Sequence, residues 1–71
     1  MKRFQVIVVY VEENIMAGGQ DITTKTEVTE SLQNALTAAS IYWDDPCCES
    51  VTIFDFKRQR DVLRYSRPDD I

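Results

Sequence analysis

The sequence predicts an α+β fold, in which one helix packs on one face of a small antiparallel four-stranded sheet in the order β-β-α-β-β. Residues 2–12 are rich in β-branched and aromatic side chains, which is typical of a strand. Residues 32–43 repeat apolar side chains at helical spacing, and residues 50–66 hold two further strand-like runs. A chain of 71 residues has room for one core. We therefore expect a single α+β domain over residues 1–66 and a flexible C-terminal tail over 67–71.

The first predicted strand, residues 2–12, carries apolar side chains on both faces. Successive side chains of a strand point in opposite directions. One face holds Phe4, Val6, Val8 and Tyr10, and the other holds Ile7, Val9 and Val11. A strand with one face in water alternates apolar with polar residues, so this strand is expected to be covered on both sides. One helix covers one face, and the other face requires a second molecule or the loop 12–20, which carries Ile15 and Met16.

The second predicted strand, residues 21–27, is polar and is expected at an edge of the sheet. A glycine pair beginning at Gly18 supplies the backbone conformations that a chain reversal needs. The strand is rich in threonine and places Ile22, Thr24 and Thr26 on one side. Its charged residues discourage unwanted pairing with other strands, as edge strands require.

The helix follows from a change of the apolar period from two to about 3.6 after Thr29, which is the expected N-cap. Pro46 prevents the helix from continuing. An apolar stripe is expected to face the sheet: Leu32, Ala35, Leu36, Ala39 and Trp43. Ile41 lies opposite this stripe, at about 100° per residue, and is expected to be exposed at the edge of an interaction surface.

The last two predicted strands, residues 50–56 and 61–66, form a hairpin through the charged residues 57–60. The third strand is again apolar on both faces. One face holds Val51 and Ile53, and the other holds Phe54 and Phe56. The connecting turn has no glycine or asparagine, so its type and the register of the hairpin stay open.

The charge of the chain is unevenly distributed around its net value of −4. Residues 12–49 contain eight acidic residues and one basic residue, a charge of −7. Residues 57–67 contain five basic residues and one acidic residue, a charge of +4. The sequence therefore predicts a bipolar molecule, in which opposite charges steer a partner or attract each other across a homodimer.

The residue types needed for common catalytic and metal sites are scarce in this sequence. Cys47 and Cys48 are adjacent, and neighbouring cysteines form a disulfide only through a strained ring. Histidine is absent, whereas a closed zinc site needs about four ligands, so two reduced thiols in a loop are expected. No glycine-rich phosphate loop or dinucleotide fingerprint is present. We expect no enzymatic activity, no cofactor and no metal.

The sequence predicts a small non-enzymatic adaptor or inhibitor that binds a protein through an exposed sheet face or edge. The partner is another protein or a second copy of the chain, and a homodimer is the simplest source of cover. The expected partner-binding residues are apolar: Ile7, Val9, Val11, Ile41, Phe54 and Phe56. No membrane span or signal peptide is predicted, which favours a cytoplasmic protein. Small acidic proteins of this kind occur among phage and mobile-element products that bind host proteins.

The alternative function is nucleic-acid binding through the basic hairpin 57–67. Arginine and lysine on a β-ribbon can contact phosphates or bases. The candidate residues are Lys57, Arg58, Arg60, Arg64 and Arg67. An acidic isoelectric point near 4.5 opposes this function, because the rest of the chain would repel a polyanion.

Overall fold

The computed structural model of the chain describes residues 2–14, 16 and 18–67, and shows one sheet and one helix within them. The elements are β1 (Phe4–Asn14), β2 (Gly19–Thr29), α1 (Leu32–Trp43), β3 (Cys48–Asp55) and β4 (Arg60–Ser66). The strands lie in the order β2-β1-β3-β4, and every neighbouring pair is antiparallel. The predicted α+β fold with the order β-β-α-β-β is confirmed, and so is the edge position of the polar strand β2.

The hairpin of β1 and β2 is longer than the sequence predicts. Its two strands pair along 11 residues each, from Phe4 opposite Thr29 to Asn14 opposite Gly19. β3 accompanies β1 only as far as Tyr10, so the last rungs of the hairpin extend beyond the rest of the sheet as a two-stranded arm. The arm contributes to the elongated shape of the molecule, whose extents are 43 × 23 × 21 Å.

The tip of this arm does not cover the sheet with Met16. Met16 is 99% exposed, so it makes almost no contact with the rest of the chain. The expectation that the loop 12–20 could cover the second face of β1 is therefore wrong for Met16, because the paired strands carry the tip away from the core. Ile15, the other apolar residue of that loop, lies outside the described residues.

The helix begins two residues later than the sequence predicts, with Ser31 as its N-cap. The Ser31 side chain accepts a hydrogen bond from the backbone N–H of Asn34 at 3.4 Å. Thr29 instead ends β2, opposite Phe4, and its hydroxyl accepts from the Ser31 N–H at 3.4 Å. Thr29 cannot cap the helix because its backbone is part of the β1–β2 ladder.

No helix of the described residues has the length and apolarity to cross a membrane.

The core lies between α1 and the face of β1 and β3 that Phe4 and Val6 occupy. Val6, Ala35, Cys48, Val51 and Ile53 have no measurable exposure. Together the buried apolar residues form one cluster: Phe4, Val6, Val8, Ala35, Ala39, Cys48, Val51 and Ile53. The prediction that β1 presents one apolar face to the helix is therefore confirmed.

The side of the helix that faces the sheet differs from the prediction. Ala35 and Ala39 are buried, whereas Leu32 is 38% exposed and Leu36 is 43% exposed. The expectation that the two leucines pack in the core is therefore wrong. Alanine side chains allow the helix backbone to approach the sheet closely, and this orientation moves the leucines to the flank of α1. Trp43 packs against the core in part, as expected.

Candidate functional site

The candidate site is the face of the sheet opposite α1, called the open face below. Residues directly opposite each other on antiparallel strands point to the same face. Val9 lies opposite Thr24 on β2 and opposite Ser50 on β3. The register places these residues on the open face: Gln5, Ile7, Val9, Val11, Ile22, Thr24, Thr26, Val28, Ser50, Thr52, Phe54 and Arg64. The alternation that buries one set of side chains under α1 therefore aligns the other set on the opposite side.

The open face is apolar along β1 from Ile7 to Val11 and mixed at its border. Ile22 is 69% exposed and Val28 is 45% exposed, and both lie on the edge strand β2. Ile7 and Val9 are partly exposed, and their cross-strand neighbours are threonine and serine side chains without charge. An apolar centre with a polar border is typical of surfaces that bind proteins.

The predicted partner-binding residues fall into two groups. Four of them lie together on the open face: Ile7, Val9, Val11 and Phe54. Phe56 follows β3, is 39% exposed, and meets the ring of Phe54 edge-on at 5.5 Å between centroids. Ile41 is 66% exposed, as predicted, but it lies on α1 on the other side of the sheet. Ile41 therefore does not belong to the same surface.

Charged residues concentrate at opposite ends of the long axis. Because β1 and β3 are antiparallel, the β3–β4 turn lies beside the start of β1. The helix C-terminus lies near the arm, since the Val11 N–H donates to the carbonyl of Cys47 just after the helix. The end at the β3–β4 turn is basic on balance, with five cations against three carboxylates: Lys2, Arg3, Lys57, Arg58 and Arg60 against Glu30, Asp55 and Asp61. The end at the arm is acidic on balance, with six carboxylates against one cation: Glu12, Glu13, Asp21, Asp44, Asp45 and Glu49 against Arg67. The charge asymmetry along the sequence therefore becomes an end-to-end asymmetry of the molecule.

The residues proposed for nucleic-acid binding do not form one patch. Lys57, Arg58 and Arg60 lie together around the β3–β4 turn. Arg64 lies within β4 opposite Thr52, and the register directs it to the open face. Arg67 follows the far end of β4, seven residues after the first residue of that strand. Three of the five residues therefore form one cluster at the turn, and Arg64 and Arg67 lie farther along and beyond β4.

Arg67 connects the end of the helix to the sheet. Its guanidinium lies 4.5 Å from the centroid of the Trp43 ring, and its Nε donates to the Cys48 carbonyl at 2.7 Å. Its Nη2 donates to the Trp43 carbonyl at 3.3 Å, at the negative end of the helix dipole. The predicted tail 67–71 thus begins with a residue that contacts the fold, while residues 68–71 lie outside the described part of the chain.

Arg3 and Asp55 form an ion pair that the sequence pattern does not predict. Arg3 donates from Nε to Oδ1 of Asp55 at 3.1 Å and from Nη2 to Oδ2 at 3.0 Å. The backbone N–H groups of Lys57 and Arg58 also donate to Oδ1, at 2.9 and 3.4 Å. Asp55 is only 2% exposed, yet these bonds, that of Arg3 above all, lower the pKa of its carboxyl to about 2. Asp55 therefore joins the start of β1 to the β3–β4 turn.

This ion pair predicts a loss of stability in acid. Folding lowers the pKa of the Asp55 carboxyl from its ordinary value of 3.8 to about 2. The contribution of Asp55 to the free energy of unfolding is therefore complete above pH 3.8 and declines as the pH falls towards 2. Asp55→Asn is expected to lower the melting temperature at pH 7 and to weaken the decline between pH 4 and 2. Thermal melts followed by circular dichroism across this range measure both effects.

The matched control for this prediction is Asp61→Asn, which removes an exposed carboxylate from β4. It is expected to leave the melting temperature at pH 7 nearly unchanged. An acid decline of the same size in Asp55→Asn and in the wild type would contradict the role given to Asp55.

The two cysteines are free and lie in different environments. Cys47 is exposed, whereas Cys48 is fully buried and its Sγ donates to the Ser50 carbonyl at 3.6 Å. Burial raises the pKa of the Cys48 thiol, which disfavours the reactive thiolate. Across the described residues, no three histidine, cysteine or acidic side chains are grouped so that they could hold a metal ion.

Iodoacetamide is expected to modify Cys47 in the folded protein and Cys48 only after unfolding. Intact-mass and peptide mass spectrometry before and after addition of denaturant would locate the modification. Equal modification of both thiols under native conditions would contradict the burial of Cys48 in the core.

Comparison with protein-family models, curated proteins and solved structures gives no match for this chain. The open face and the two charged ends therefore carry the functional assignment by themselves.

Proposed function

We propose that the protein is a non-enzymatic protein-binding module that forms a homodimer through its open face. The observation that carries this proposal is the position of α1, which packs on one face of the sheet while Ile7, Val9 and Phe54 lie on the other. Within residues 2–14 and 18–67, no second helix is present to cover these side chains. A second copy of the chain supplies an identical apolar face, so that pairing the two open faces covers both of them at once.

The free energy of apolar burial favours such a partner. At about 25 cal/mol per Å², even about 300 Å² of apolar surface left in water forfeits roughly 7 kcal/mol. This value is similar to the whole stability of a small domain, which is of the order of 5 kcal/mol. Association recovers a part of this free energy by removing the open face from water.

The dimensions of the sheet are sufficient for a stable interface. Strands of 11 residues in β1 and β2, and of 8 and 7 in β3 and β4, give a face of about 600 Å² at roughly 3.4 Å per residue and 4.8 Å between strands. Two such faces bury about 1,200 Å², which is the lower end of the range for specific protein interfaces. The arm of β1 and β2 supplies a large share of this area.

The charged ends favour one orientation of the two copies. If the two-fold axis runs across the strands, the acidic end of one copy lies beside the basic end of the other. If it runs along the strands, like charges face each other, which opposes association. We therefore infer that β1 of one copy runs antiparallel to β1 of the other, with the arm of each copy near the partner's β3–β4 turn.

In this proposal the dimer acts in the cytoplasm as an adaptor or inhibitor of a further protein. Small size, a net charge of −4 and the absence of histidine support a binding role over a catalytic one. Phage and mobile-element products that bind host proteins are similar in size and composition.

Co-expression of an affinity-tagged and an untagged copy tests the homodimer. The untagged copy is expected to be retained with the tagged wild type and lost when both copies carry Val9→Lys. Ser40→Lys, which introduces the same charge on the exposed side of α1, is the matched control and is expected to preserve retention. Failure of the wild type to retain the untagged copy, or retention by Val9→Lys, would contradict the proposal.

The second candidate function is nucleic-acid binding at the basic end, which the grouping of Lys57, Arg58 and Arg60 around one turn favours. Since the remainder of the molecule is acidic, we expect the protein to pass through a heparin column at low salt. Retention that is lost as the salt concentration rises, and that Arg58→Glu abolishes, would instead support nucleic-acid binding.

A further inference from the structure

The two flanks of α1 differ in polarity. A helix about 10 Å wide covers two strands at a spacing of about 4.8 Å, and α1 lies mainly over β1 and β3. On the β2 flank, the Tyr42 hydroxyl donates to Oε2 of Glu27 at 2.9 Å, and Nζ of Lys25 lies 5.0 Å from the Tyr42 ring centroid. These polar contacts join the C-terminal end of α1 to β2, and a cavity of about 350 Å³ with a mixed polar and apolar lining remains on the same flank nearer the start of the helix.

The β4 flank is apolar and open. Leu32 and Leu36 of α1 are 38% and 43% exposed, and Val62 and Tyr65 of β4 are each 42% exposed. The surface between α1 and β4, called the α1–β4 groove below, is formed by Leu32, Leu36, Val62, Leu63 and Tyr65. Contiguous exposed apolar side chains of this kind mark an interaction surface.

A cavity marks one end of the groove and a contact between two aromatic rings marks the other. Leu32 and Val62 line the same cavity at one end, and at the other end the rings of Trp43 and Tyr65 lie 5.4 Å apart. Leu36 follows Leu32 by four residues and so lies on the same side of the helix. The groove therefore runs along α1, whose 12 residues span about 18 Å, or three helical turns.

The cavity at one end of the groove has a volume of about 250 Å³ and a basic border. Its apolar lining comes from Phe4, Leu32 and Val62. Its charged lining is Arg3, which pairs with Asp55, and Arg58 and Arg60, which outnumber the single further carboxylate of Asp61. This space is large enough for one bulky apolar side chain of a partner, with an acidic neighbour near the two arginines.

We propose that the α1–β4 groove binds an amphipathic helix of a different protein, with bulky apolar residues on one face and acidic residues beside them. α1 leaves the adjacent edge strand β4 without helical cover, so a partner helix lying beside α1 would cover β4 and extend past the edge of the sheet. A second copy of this chain does not fit the charge requirement, since α1 itself contains no acidic residue between Leu32 and Trp43. The proposal is independent of the homodimer, which uses the opposite face of the sheet.

Selection from a surface-displayed library of random 16-residue peptides against the immobilised wild-type protein tests this proposal. The enriched peptides are expected to repeat apolar residues at spacings of three and four, with aspartate or glutamate between them. Synthetic labelled copies of these peptides are expected to bind Leu36→Lys at least tenfold more weakly than the wild type in fluorescence anisotropy. Arg58→Glu is expected to weaken binding as well.

Two controls separate this groove from other surfaces and from unfolding. Thr37→Lys lies on the exposed side of α1 next to Leu36 and is expected to change the affinity less than twofold. Melting curves of both lysine variants confirm that each is folded. The proposal would be overturned if no peptides were enriched, or if the enriched peptides alternated apolar and polar residues. It would also be overturned if Val9→Lys weakened the binding of the peptides and Leu36→Lys did not.

Discussion

Ile53→Ala is expected to lower the free energy of unfolding by about 2 to 5 kcal/mol, because the side chain is fully buried between the sheet and α1. The stability of so small a domain is of the order of 5 kcal/mol, so the variant should be largely unfolded at 37 °C. Urea and thermal unfolding, followed by circular dichroism, measure the change directly.

Leu36→Ala is the informative comparison, because the sequence pattern places Leu36 in the core and the structure leaves it 43% exposed. Its truncation is expected to lower the free energy of unfolding by about 1 kcal/mol or less. If Leu36→Ala destabilised the protein as much as Ile53→Ala, the orientation of α1 described above would be wrong.

Val9→Lys is expected to convert the proposed homodimer into a folded monomer. Val9 lies on β1, one of the two inner strands, between Thr24 and Ser50 on the open face, so a lysine there places a charge within the proposed interface. The aliphatic stem of lysine can lie along the face while the ammonium reaches water, so the monomer should stay folded. Size-exclusion chromatography with light scattering should show a halved mass.

The melting curve of Val9→Lys separates loss of association from loss of folding. A cooperative transition is expected to remain, with a smaller loss of stability than Ile53→Ala causes. A cooperative variant that keeps the mass of the wild type would show that the open face is not the interface.

The pattern of β1 predicted which side chains face the helix and which do not, because strand periodicity separates two faces without ambiguity. The pattern of α1 could not choose between Ala35–Ala39 and Leu32–Leu36, since both pairs lie in one apolar sector of the helix. The close approach of the backbone to the sheet decides in favour of alanine. That information comes from packing and is absent from the period of the sequence.

The ion pair of Arg3 and Asp55 joins residues 52 positions apart, and a local pattern cannot reveal such a pair. One signal was present: Asp55 continues the inward-facing series of Val51 and Ile53, where a carboxylate requires a partner. The α1–β4 groove was missed for a related reason, because it depends on how far one helix extends across four strands.

The mass of the wild-type protein in solution tests the central claim most directly. Sedimentation equilibrium between about 5 and 200 μM, at moderate salt, is expected to give twice the chain mass of 8.2 kDa, with dissociation favoured at the lowest concentrations and at high salt. A mass of 8.2 kDa throughout this range would contradict the proposal that a second copy covers the open face.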